Sequence, residues 1–178
     1  MSILNLITIY ELNDPASQVV FKVQPEISES KNVNYIEVSE IRQAASILIF
    51  IGSPGRQFNL NVKLVSRTEA EATKNFEYLH RMKSWGMPKK GESGPSGDSD
   101  VPPTLALRGY VYNFKNIRMV LKSMNAEYPT DCDYITASNG TQMPIIMPIT
   151  LSFQETRSAG ELKRFDFESY RAGELADW

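Results

Sequence analysis

The apolar and polar positions of this 178-residue chain change rhythm several times, and each rhythm predicts an element. The sharpest is Phe58-Asn59-Leu60-Asn61-Val62-Lys63-Leu64, with an apolar residue on every second position and Asn, Asn and Lys between them. Successive side chains of a strand point to opposite faces, so this period predicts a strand with one dry and one wet face. Met147, Ile149, Leu151 and Phe153, alternating with Pro148, Thr150, Ser152 and Gln154, repeat the pattern over a strand-sized length. Pro144 and Pro148 have no N–H for a ladder, which puts the start of that strand at a sheet edge or a bulge. Ile117, Met119 and Leu121 alternate with Arg118 and Lys122, but Val120 makes the second face partly apolar and predicts cover on both sides. A different rhythm, the unbroken run Ile47-Leu48-Ile49-Phe50-Ile51, predicts a short strand buried on both faces. It stops at Gly52-Ser53-Pro54-Gly55, a turn expected to reverse the chain into the alternating strand.

Weaker β signals lie at 3–12, ended by Asn13-Asp14-Pro15, at 19–23, stopped by Pro25, at 35–38, and at 104–111 after Pro102-Pro103. Asn139-Gly140 is a favoured hairpin pair because both residues tolerate positive φ, and the strand through Met147 is its expected return. One segment has helical spacing. Thr68 and Glu71 match a capping box, after which Ala72, Phe76, Leu79 and Met82 fall on one side of a helix ending near Trp85-Gly86, with Gly86 its C-cap and Pro88 preventing continuation. Residues 89–100 are rich in Gly, Ser and acids with no apolar anchor, and predict a flexible loop. The expected fold is mostly β with one flanking α-helix, an α+β domain over 1–160 with a flexible insertion at 87–101 and a C-terminal arm at 161–178.

In that arm Phe165, Phe167, Tyr170 and Trp178 stand among charges and no period wins. It is either an interaction arm or the last packed edge, since terminal segments are ordered only when something ties them down.

Charge narrows the function classes. With 19 basic against 21 acidic residues, no broad field draws the chain to nucleic acid or anionic lipid. The apolar run at 44–51 is far shorter than the roughly 20 residues that span a bilayer, so a soluble chain is expected, with no membrane partner. The N-terminal residues show no basic segment or small-residue cleavage site, and no secretory signal is expected.

Candidate chemistry is sparse. The single Cys132 has no disulfide partner, and with the single His80 it makes no zinc-ligand spacing. His80 lies one position beyond the apolar stripe of the helix and reads as a solvent-facing or satisfied His. Asp131-Cys132-Asp133 offers two carboxylates, short of the oxygen count calcium demands. Asn139-Gly140-Thr141 fits a glycosylation sequon but reads as the hairpin turn, and Gly52-Ser53-Pro54-Gly55 lacks the Lys-Ser or Lys-Thr of a phosphate loop. No nucleophile has a visible activator, so neither an enzyme nor a cofactor is expected.

One order of elements stands out: an apolar strand, Gly-Ser-Pro-Gly, the alternating strand at 58–65, a helix carrying Tyr78-Leu79-His80-Arg81-Met82-Lys83-Ser84-Trp85, a gap, Pro102-Pro103-Thr104-Leu105-Ala106-Leu107-Arg108-Gly109, and a closing strand at 148–155. Over residues 35–156 this order resembles the tail-tube initiator and baseplate–tail-tube junction proteins of contractile-tailed phages. The resemblance implies a tail-tube-like β-sandwich or barrel and six copies closing into a ring. Its implied partners are the tail-tube protein and the baseplate hub protein, with DNA passing through unbound. It also implies a virion location after assembly in the host cytoplasm. Many relatives carry a LysM-like module or longer additions for which this chain has no room, and the 161–178 arm has no counterpart. A second class stays open: a LysM-like glycan-binding adaptor of the baseplate, stacking sugars on Tyr35, Tyr78, Trp85, Tyr110, Tyr112, Tyr128 and Tyr134, although aromatics equally fill cores.

Overall fold

The computed structural model describes residues 6–38, 45–88, 101–109, 114–138 and 140–175. The flexible-loop reading of 89–100, the start of the first expected strand at 3–5, Tyr110, Val111, Tyr112, Asn139 and Trp178 lie outside the described residues. Among the described residues, eleven strands and three helices follow one another as β1 (Thr8–Glu11), β2 (Asp14–Val20), β3 (Glu26–Ser30), β4 (Asn34–Val38), β5 (Ile47–Gly52), β6 (Gln57–Val65), α1 (Glu69–Ser84), β7 (Leu105–Arg108), β8 (Ile117–Ala126), β9 (Tyr134–Thr136), β10 (Gln142–Pro144), β11 (Ile146–Glu155), α2 (Ala159–Leu162) and α3 (Phe167–Arg171). The expected mostly β, α+β class is what the chain adopts.

Seven strands form one antiparallel sheet in the order β2-β1-β7-β8-β11-β6-β3. Its centre is the β6–β11 pair, the two strands with the cleanest alternation. Val62 lies opposite Ile149, Leu60 opposite Leu151 and Phe58 opposite Phe153, so the dry faces coincide, and all six residues are buried. A one-residue slip would turn the whole apolar set to water, which is why alternation specifies this register. Pro148 stands where the β8 ladder ends: β8 pairs with β11 from Ile149 onward, Pro148 lies opposite Lys63 of β6, and only its carbonyl is used on the β8 side, by the Glu127 N–H at 3.0 Å.

Helix α1 covers the buried face. Thr68 accepts a hydrogen bond from the Glu71 N–H at 3.3 Å, but the Glu71 carboxylate turns to the N–H of Arg67 and to Lys22 rather than back to Thr68, so half of the expected capping box forms. Leu79, Met82 and Trp85 enter the core with Ile9, Leu107 and Ile117, each burial contributing about 1.5–3 kcal/mol for an aliphatic side chain. The helix ends at Ser84 with Trp85, not Gly86, as its C-cap. Trp85 is fully buried, and among the described residues its indole N–H meets no hydrogen-bond partner.

Several expectations are corrected by the sheet. Among the described residues no barrel closes: the seven-stranded sheet has β2 and β3 as its edges and a helix over its buried face, and β4–β5 and β9–β10 form two further two-stranded sheets. The return strand of the hairpin at Gly140 is β10, pairing with β9. Gly140 sits at φ 83° in the turn, and β11 belongs to the main sheet. Strand β3, Glu-Ile-Ser-Glu-Ser, has an edge position and almost no buried face, so it left no apolar period to read. Asp14 and Pro15, expected to end the first strand, begin β2, where Pro15 is tolerated because β2 is an edge.

The largest correction concerns β5. It is a strand, but not a buried one: Ile47, Leu48, Ile49, Phe50 and Ile51 are each 52–63% exposed. It pairs only with β4, outside the main sheet, and Gly52-Ser53-Pro54-Gly55 does not reverse the chain. Ser30 pairs with Gln57 at the end of β3–β6, and Asn34 pairs with Gly52 at the start of β4–β5. The second ladder therefore continues the first as one long ribbon, interrupted at 31–33 and 53–56, and the reversal falls between β4 and β5.

Candidate assembly surface

The β4–β5 ribbon follows directly from its composition. β-Branched and aromatic residues favour the extended backbone. Register then sorts them onto two faces, because paired residues of an antiparallel ladder share a side. Tyr35, Leu48 and Phe50 share one face with Glu37, which accepts a hydrogen bond from the Ser46 hydroxyl. Ile36, Val38, Ile47, Ile49 and Ile51 share the other. The Tyr35 and Phe50 rings lie opposite each other, edge to face, with centroids 5.9 Å apart. Eight large apolar side chains 39–63% exposed stand on this ribbon. At roughly 100 Å² each they present about 300 Å² on the aromatic face and about 500 Å² on the other, each within the size range of the largest apolar patch of a monomer.

Where the ribbon leaves the sheet, a buried ionic clamp holds it. The Arg56 guanidinium donates to Glu155 through Nε (2.9 Å) and Nη2 (3.0 Å), and its Nη1 donates to Glu29 at 3.1 Å. Arg157 adds a bond to Glu155 at 2.7 Å, and the Arg56 N–H donates to the same carboxylate at 3.1 Å. Burial alone would push the Glu155 carboxyl up, but the Arg56 hydrogen bonds and charge, with Arg157, hold it below the usual carboxylate range. The guanidinium also lies over the Phe58 ring, 5.3 Å from its centroid. Gly55 passes so close to the Glu155 carbonyl that no side chain fits there. The four charged residues tie together the last turn before β6, the end of β3, the end of β11 and the start of the C-terminal arm.

The arm is the second exposed apolar element. Ser158 caps α2 with a full capping box through Glu161, and Asp166 caps α3. Glu161 also pairs with Arg118 at the start of β8. Among the described residues neither short helix buries a side chain: Leu162, Phe165, Phe167 and Tyr170 are 39–61% exposed, and the Phe165 and Tyr170 rings are 5.5 Å apart. The arm starts at the root of the ribbon, where a cleft of about 200 Å³ is lined by Lys31, Ser53, Gly55, Glu155, Arg157 and Leu162.

The remaining candidates are scattered. His80 is exposed on α1, as expected, and Cys132 is half-buried with its thiol near the Pro129 carbonyl. Of the proposed stacking aromatics, Trp85 is in the core, Tyr78 packs half-buried against it, and Tyr128 and Tyr134 are exposed. Among the described residues no three His, Cys, Asp or Glu side chains gather where they could hold a metal ion, and no helix is long and apolar enough to cross a membrane. Sequence reasoning missed the ribbon and the clamp. The ribbon's signal, an apolar run with nothing to say which molecule covers it, was present. The clamp had none, because Arg56 and Glu155 lie 99 positions apart.

The described residues thus form a mostly β, α+β domain with an exposed apolar ribbon and an exposed apolar C-terminal segment beside one ionic node. No family model and no curated protein matches the chain. Among solved structures it is similar to a chain in the tail of an empty GTA particle computed with helical refinement and C6 symmetry, with a TM-score of 0.36 and 10% identity over 86% of this chain and 92% of that one.

Proposed function

We propose that this chain is a non-enzymatic structural subunit of a phage tail, six copies of which close into a ring at the baseplate–tail-tube junction. There the ring docks on the hub protein and initiates or extends the tube. The observation that carries the reading is the β4–β5 ribbon: a folded domain with a well-filled core holds eight large apolar side chains of one ribbon in water, the kind of surface that marks a contact with another protein. The unpaired sheet edges β2 and β3 add support, since edges left open promote aggregation unless an assembly pairs them. The order of motifs over 35–156 points the same way, and a net charge of −2 suits a conduit whose wall must not hold passing phosphates. Assembly in the host cytoplasm would precede residence in the virion tail. The glycan-binding alternative has less support, because Trp85, the largest of its stacking residues, is buried in the core.

Analytical ultracentrifugation across a wide concentration range, with negative-stain imaging, tests this. Ring-sized particles alone, or with purified tail-tube or hub protein, are expected. A monomer at every concentration that binds neither protein would overturn the reading.

A further inference from the structure

We infer that the β4–β5 ribbon is a lever that pivots at 31–33 and 53–56, and that the ionic clamp around Arg56 is the latch that fixes its angle. The inference concerns a single chain and does not require copies to associate. Two observations place the pivot. The ladder that runs from β3–β6 into β4–β5 breaks between the Ser30–Gln57 pair and the Asn34–Gly52 pair, and across the break the Ser53 hydroxyl reaches the Asn32 carbonyl at a long 3.4 Å. A few residues at the ends of elements can absorb a change of backbone angle that a continuous ladder resists. The two glycines of the joint also differ. A Cβ on Gly55 would collide with the Glu155 carbonyl oxygen, whereas a Cβ on Gly52 would meet nothing within 4 Å. The sheet side of the joint is therefore pressed against β11, while the ribbon side turns in open space.

Side-chain packing does not supply the angle. All eight large apolar side chains of the ribbon are exposed, so its direction relative to the sheet rests on its root. There Arg56 gives Nε and Nη2 to Glu155 of β11 and Nη1 to Glu29 of β3, and the Gln154 amide donates to the Gly55 carbonyl at 2.6 Å. One guanidinium thus ties the strand that enters the ribbon, β3, and the strand that leaves it, β6, to the central β11. Its planar, two-pronged geometry restrains direction as well as distance, which the point charge of a lysine does not. A buried ion pair of this kind adds little net stability over apolar residues of similar volume, so what the clamp contributes is orientation.

Single-molecule energy transfer on freely diffusing full-length chains tests the latch, because at picomolar dilution each burst of light reads one copy. Dyes go on Leu48→Cys in β5 and Lys63→Cys in β6, both exposed positions, in a Cys132→Ser background. Fifteen residues at a strand's rise put the two at most about 50 Å apart, within range of the method. With the clamp intact a single narrow transfer peak is expected. Arg56→Met with Glu155→Leu should shift and broaden that peak. Glu29→Ala, which removes a half-exposed partner, should broaden it less. Circular dichroism melting checks that each variant is folded, and if the double variant is not, Glu29→Ala decides. An unchanged narrow peak in the folded variants, or a broad peak in the chain with its clamp intact, would overturn the latch.

Discussion

Strands β5 and β6 are neighbours in sequence, separated only by residues 53–56, and they share the apolar character of a β protein while meeting opposite fates. In β6 every second residue is apolar and buried, with Asn59, Asn61 and Lys63 in water between them. In β5 every residue from Ile47 to Ile51 is apolar and all five are exposed. The difference teaches what a hydrophobic pattern encodes. Period tells how many faces of a strand need cover, one for β6 and two for β5. It does not tell whether that cover comes from the same chain.

The comparison can be broken first where burial is real. Phe58→Ala in β6 should lose about 3–5 kcal/mol of unfolding free energy, the cost of a large cavity in a packed core, as read by chemical denaturation. Glu155→Ala, at the joint between the strands, should cost about 3 kcal/mol, because the buried Arg56 guanidinium loses the carboxylate that takes its Nε and Nη2 donors. Replacing both partners, Arg56→Met with Glu155→Leu, should restore most of that loss if the clamp serves to aim the ribbon rather than to stabilise the fold. The carboxyl of Glu155 titrates lower in the folded chain than its ordinary value of 4.5. Its contribution is therefore complete above that value and lost as pH falls through the folded one; acid titrations of stability should show this component in the wild type and not in the double variant. Gly55→Ala should cost about 1–3 kcal/mol, since the new methyl meets the Glu155 carbonyl and the joint must shift. Smallest of all, Leu48→Ser in β5 should change monomer stability by no more than about 0.5 kcal/mol while weakening association. A loss near that of Phe58→Ala would mean that the ribbon is packed within its own molecule.

Legibility in the sequence follows the same division. The β6–β11 centre, helix α1 and the Pro148 position could be read because each is specified by short-range period or backbone chemistry. The open edge between β2 and β3 could not, since closure of a sheet depends on the geometry of all its strands. Nor could the joint at 53–56: Gly52-Ser53-Pro54-Gly55 has the composition of a tight reversal, yet Gly55 is there for its close approach to Glu155. Of the candidate assembly surface, the aromatic residues of the arm were visible as an unexplained cluster. Ile47 to Ile51 were legible as a strand, but not as an exposed one, because an apolar run gives no sign of where its cover lies.

Trp85 offers a consequence of another sort. It is one of only two tryptophans in the chain, fully shielded from water in the core formed by β1, β6, β7, β8, β11 and α1. An indole in that setting emits at the blue end of its range, and nothing about the exposed ribbon should alter its colour. With Trp178→Phe removing the other emitter, fluorescence of this one side chain becomes an optical gauge of core integrity that stays silent while subunits join and turns red only when the domain itself opens.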